Sequence, residues 1–143
     1  MLLYGDHDNA RAFYNNYAIT SVLDALHGDR SLEPSLIVPP DGNDNRGSSP
    51  LFDSVYSDGP NGRMSTLIGS DLVQVLQKRY RTSSGTGSWA LGGFSSGGWG
   101  ALTIGLRHLD HFGTLFSHDG YFTDAAAPPT VRTCSSARCR PNR

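Results

Sequence analysis

Over the first 124 positions, short apolar runs take turns with stretches whose apolar residues recur three and four apart. The first pattern reads as buried strand and the second as one face of a helix. Leu2-Leu3-Tyr4 is a strand-like run that ends at Gly5. From Asn16 to Leu26 the spacing is helical, with Tyr17, Ile19, Val22, Leu23 and Leu26 on one face and Gly28 as the stop. Leu36-Ile37-Val38 is the next strand, closed by Pro39-Pro40-Asp41-Gly42. A loop rich in Gly, Asn, Asp, Ser and Pro then covers 41–63, long enough to suggest a functional segment. Ser65 to Tyr80 returns to helical spacing, and 82–88 is a turn. The strand at 89–92, a helix from Trp99 to Leu109 and a strand at Thr114-Leu115-Phe116 complete the series.

This alternation predicts an α/β fold, with a parallel sheet of about four strands and helices on both faces. Residues 1–124 form the expected core. From Ala125 to Arg143 the apolar period disappears, and the composition predicts a disordered tail.

Charge sharpens that division. The chain carries 12 basic and 13 acidic residues, and all 13 acids with 8 of the basic residues precede position 125. The core is therefore at −5 and the tail at +4. A core without a basic patch argues against a nucleic-acid partner. No run approaches the roughly 18 apolar residues of a membrane span, and Met1-Leu2-Leu3-Tyr4 is too short for a signal-peptide core. Two cysteines, Cys134 and Cys139, both in the tail, are too few for a disulfide framework or a zinc site. Asp41-Gly42-Asn43-Asp44-Asn45 departs from a calcium loop, with Arg46 where glycine is needed and Phe52 where glutamate is needed, so it reads as an ordinary turn. No metal or organic cofactor is expected.

Candidate chemistry lies in Gly93-Phe94-Ser95-Ser96-Gly97. It matches the G-x-S-x-G nucleophile elbow in its required setting, a strand, a tight turn and a helix. Side chains two before and two after the serine would clash in such a turn, and Ser95 has Gly93 and Gly97 there. Ser96 has Phe94 before it, so Ser95 is the expected nucleophile. The following helix aims its dipole and free N–H groups at the reaction centre. No Lys follows the glycines, which excludes a P-loop, and G-x-G-x-x-G is absent from the turn.

In these residues and their order the chain resembles the putative-esterase family of α/β-hydrolases, which includes esterase D, feruloyl esterases and mycolyltransferases. Leu2-Leu3-Tyr4-Gly5, Ile37-Val38-Pro39-Pro40-Asp41-Gly42, Asp71-Leu72 with Arg79-Tyr80-Arg81-Thr82, and Gly92 through Leu102 carry the likeness. It covers residues 1–124. The resemblance makes the four strands the third to sixth of the family's sheet. It implies the spatial order 36–38, 2–4, 89–92, 114–116. It also implies an oxyanion hole of the Ser96 and Asp6 backbone N–H groups. Asp6, His7, Asp8, Asp41, Asp44, His118 and Asp119 would share the edge of Ser95, whereas His27, His108 and His111 would lie at the opposite edge. The family's acid and histidine come from segments after the sixth strand, so His118 is the sole downstream candidate base, with His7 behind it.

The expected function is a serine esterase or acyltransferase working through an acyl-enzyme on Ser95 with a small-molecule ester. Phe52, Tyr56 and Arg63 of the long loop would help form the cleft. The alternative is a catalytically incomplete hydrolase fragment. Unpaired outer strands would promote self-association through the sheet edges.

Overall fold

The computed structural model describes residues 1–6, 8–43 and 54–122. A two-residue strand, β1 (Leu2–Leu3), opens the chain. Two helices follow, α1 (Ala12–Asn15) and α2 (Ile19–Gly28), the second ending at the expected glycine. Within the expected loop lies a small antiparallel hairpin, β2 (Asp58–Gly59) and β3 (Gly62–Arg63). The helix expected over Ser65–Tyr80 is one body with a widened centre: α3 (Met64–Thr66), a π-helical turn at Leu67–Asp71, and α4 (Leu72–Arg79). Then come β4 (Ala90–Phe94), α5 (Ser96–Gly105) and β5 (Thr114–His118).

β4 lies between β1 and β5 and pairs parallel with both, so the sheet order is β1-β4-β5. The fourth expected strand, Leu36-Ile37-Val38, is not a strand. It runs beside β1 with one main-chain bond, from Leu2 N–H to Val38 O at 3.0 Å. Two features limit the pairing. β1 offers only two residues to pair with, and Pro39-Pro40 have no N–H to extend a ladder. The neighbour order 36–38, β1, β4, β5 nevertheless matches the expected one.

Strand alternation divides the sheet into two unequal faces. Leu91 and Leu115 point toward α5, and with Leu3, Ile68, Val73, Ala101, Ile104 and Phe112 they belong to or border the buried core. The opposite face carries Phe94, Phe116 and His118. There α1 buries Ala12 and Phe13, and the Phe13, Tyr17 and Phe94 rings follow one another. Helices thus reach both faces of an α/β sheet, but unequally: α2 buries none of its residues. The tail expected from 125 lies outside the described residues.

Candidate active site

Ser95 closes β4 and caps α5, with φ 53° and ψ −120°. Positive φ is rare for a residue with a Cβ and persists only where the surroundings enforce it. The enforcement is visible on both sides. Ser95 N–H donates to His118 O at 2.9 Å, and Ser95 O accepts the first bond of α5, from Trp99 N–H at 3.0 Å. A Cβ on Gly93 would lie 2.3 Å from Gly97 O, and one on Gly97 would lie 2.3 Å from Leu3 O. The elbow closes onto β1 only because both positions lack side chains. Gly5 continues this approach, since a Cβ there would be 3.1 Å from Ser95 Cβ.

The first turn of α5 leaves the N–H groups of Ser96, Gly97 and Gly98 without intrahelical acceptors. They stand at the positive end of the helix dipole, beside the serine. Ser96, fully buried, leaves its Oγ without a hydrogen bond among the described residues. Asp6, exposed, follows Gly5 directly at the end of the β1 segment. The structure therefore places Ser96 on the elbow and Asp6 one residue beyond the glycine that touches it.

A polar network fixes the β1 end from behind. Tyr4, buried, donates from its hydroxyl to Asp41 Oδ1 at 2.7 Å and accepts from Gly42 N–H at 2.7 Å. Asn43 donates to Asp41 Oδ1 from its side chain at 2.7 Å and from its backbone at 3.1 Å. Partial burial works to raise the Asp41 pKa, but the Tyr4 and Asn43 hydrogen bonds outweigh it and hold the carboxyl below its ordinary value. Tyr56 donates to Tyr4 O at 2.8 Å, and the two rings meet edge-on at 5.9 Å. This corrects the expectation that Tyr56 lines the cleft: at 1% exposure it is a core residue. Arg63 remains at the surface, near Thr66. Phe52, Asp44 and His7 lie outside the described residues.

His118 ends β5 opposite Phe94 in register. Its carbonyl holds the Ser95 N–H, while its ring leans on Phe94 at 5.5 Å between centroids and makes no hydrogen bond to Ser95 Oγ. Phe13, Tyr17, Phe94 and His118 form a row of rings with successive spacings of 5.6, 6.1 and 5.5 Å. Sequence reading missed that row, because periodicity does not tell which face of β4 the residues near position 13 will reach. His108 and His111 follow α5 at its far end, away from Ser95.

Two comparisons with known proteins bear on the family and the fold. The model of the family described as "Putative esterase" matches residues 5–130. The chain belongs to the putative-esterase family. Among solved structures, this esterase-family chain is similar to a ferulic acid esterase, at 26% identity and a TM-score of 0.67. The match covers 78% of this chain and 41% of that one, so the chain spans about two fifths of that esterase's length. No curated protein matches.

Proposed function

We propose that the chain carries the nucleophile half of a serine ester hydrolase. The backbone of Ser95 carries this reading: a non-glycine residue at positive φ, between a parallel strand and a helix N-terminus, with the tight glycine contacts an elbow needs. Ser95 Oγ would attack the ester carbonyl, forming a C–O bond while its proton passes to a base. The tetrahedral oxyanion would accept from Ser96 N–H at the start of α5 and from Asp6 N–H at the end of the β1 segment. Collapse would expel the alcohol with that proton and leave an acyl-Ser95. Water or a second alcohol would then release the acid or a new ester.

His118 is the one described histidine on this edge. To serve as base, its ring must turn from Phe94 toward Ser95 Oγ. The row of rings beside the elbow supports an aromatic acyl group, in keeping with the ferulic acid esterase to which the chain is similar. A second reading, a binding fold with an idle serine, is favoured by one observation: among the described residues Ser95 Oγ has no hydrogen-bonded base.

A fluorophosphonate probe and paired p-nitrophenyl acetate and methyl ferulate assays test the proposal. Ser95→Ala is expected to abolish labelling and to lower turnover by about 10⁴-fold or more, while Ser96→Ala keeps labelling. Labelling that persists in Ser95→Ala sinks the assignment. Wild-type chain that neither labels nor turns over either ester leaves the idle-serine reading standing.

A further inference from the structure

The turn that follows α5 gathers three potential ligands at the end of the molecule remote from Ser95. His111 N–H donates to His108 O at 2.9 Å and Phe112 N–H to the same carbonyl at 3.0 Å. This closed turn brings the two imidazoles to 6.0 Å between ring centroids, with ring planes only 19° apart. The turn is anchored at both ends. His108 N–H donates to Gly105 O at 3.0 Å, and the Cδ2–Nε2 side of its ring lies over Gly69. Phe112 is in the core, and Gly113 N–H reaches Thr86 O at 2.9 Å.

Donor atoms of His108, Asp110 and His111 all lie within 4.8 Å of one another. His111 Nε2 is 3.7 Å from Asp110 Oδ2, too far for a hydrogen bond. No ring nitrogen of either histidine has a hydrogen-bond partner among the described residues, so the lone pairs are uncommitted. Ligands bound tetrahedrally at zinc-like distances stand about 3.4 Å apart. The Asp110–His111 separation is already close to that. The remaining gaps, of at most 4.8 Å, would close by side-chain rotation of Asp110, 74% exposed, and of His111, 26% exposed.

We propose that His108, Asp110 and His111 form a site for a divalent transition metal of the zinc type, two imidazoles and one carboxylate with water completing the shell. Nitrogen-rich donor sets of this kind select zinc, cobalt, nickel or copper over calcium and magnesium. The ten residues of α5 span about 15 Å at 1.5 Å per residue, so the ion would not reach the serine chemistry. Its role would be structural: it would lock the turn at 108–111 of the α5–β5 connection, whose His108 ring packs over Gly69 of the π-helical turn. The site is independent of the ester-hydrolase reading.

The test is a titration of the full chain with zinc chloride, followed by calorimetry and by the imidazole resonances. A parallel arm carries Cys134→Ser and Cys139→Ser, so that the tail thiols cannot supply the binding. Expected are one ion per chain, shifts confined to His108 and His111, and a higher melting temperature with metal. His111→Ala and Asp110→Asn, both on the turn rather than in the core, should each weaken binding by about tenfold or more, and Ser95→Ala should not change it. Three outcomes overturn the proposal: no saturable binding, full affinity in both turn variants, or binding that vanishes with the cysteines. The resonance shifts in the unmutated chain decide the question even if a variant fails to fold.

Discussion

The two faces of the sheet are built from the same strands and have opposite fates. Toward α5, Leu3, Leu91, Ala101 and Ile104 are at most 1% exposed. On the other face Phe116 remains 46% exposed, and α2 presents Ile19, Leu23 and Leu26 only half-buried. The difference shows what holds the proposed nucleophile elbow in place. The strained Ser95 backbone is supported from the covered face, where Gly93 and Gly97 let α5 close onto β1, and burial there is close to complete. The open face carries the rings, among them the half-buried Phe94 and the exposed His118. Close packing and solvent-facing rings thus lie on opposite sides of one strand.

Breaking the open face at its functional end should have the largest effect on rate. If His118 is the base, His118→Ala lowers turnover by about 10²- to 10⁴-fold and leaves the melting temperature nearly unchanged, as suits an exposed side chain. Unaltered turnover would remove His118 from the chemistry and leave the ring row as a binding surface only.

On the covered face the corresponding break is structural. Gly97→Ala puts a methyl group where the Leu3 and Tyr4 carbonyl oxygens stand, 2.3 and 2.4 Å away. A cost of about 3 kcal/mol is expected, read by denaturant unfolding, with loss of Ser95 labelling. A variant as stable as the wild type would mean that β1 and the elbow are not in contact.

Asp41 sharpens the comparison by a smaller amount. Its folded-state pKa is depressed, so its contribution to stability is present above the ordinary carboxylate value. That contribution is lost as pH falls below about 4. Asp41→Asn should cost about 1 kcal/mol at neutral pH and flatten the loss of stability as pH falls below the ordinary carboxylate value of about 4. Identical acid-unfolding curves would show that the Tyr4 network does not hold the loop at 41–43.

Smallest of all should be the effect of Phe116→Ala on stability, about 1 kcal/mol, because half the ring is already in water. Its expected signature lies elsewhere, in reduced self-association by sedimentation: among the described residues β5 is an edge strand, and an open strand edge is a template for pairing with another chain. Deleting 126–143 should change neither the circular dichroism spectrum nor the melting temperature, and a large loss would show that these residues pack on the body.

Much of this was legible along the chain. The glycines around Ser95, the alternation of apolar runs with helical spacing, and the stop at Gly28 are local signals. Each acts within a few residues, and each element they predicted has a counterpart except the strand at 36–38. There Pro39-Pro40 and the shortness of β1 limited pairing, and the second of these depends on the fold. Other features arise from residues far apart in the chain. Tyr56 looked like a loop residue until the fold brought its hydroxyl to Tyr4 O, 52 positions away. Tyr4 and Asp41 meet across 37 positions, and Phe13, Tyr17, Phe94 and His118 form one row only because α1 packs on the face of the sheet that α5 leaves open. Sequence by itself determined the elbow and the class of fold, because turn geometry and strand period are set by neighbouring residues. Which rings, carboxylates and histidines stand beside one another was decided by tertiary packing, since that depends on how helices cross a twisted sheet.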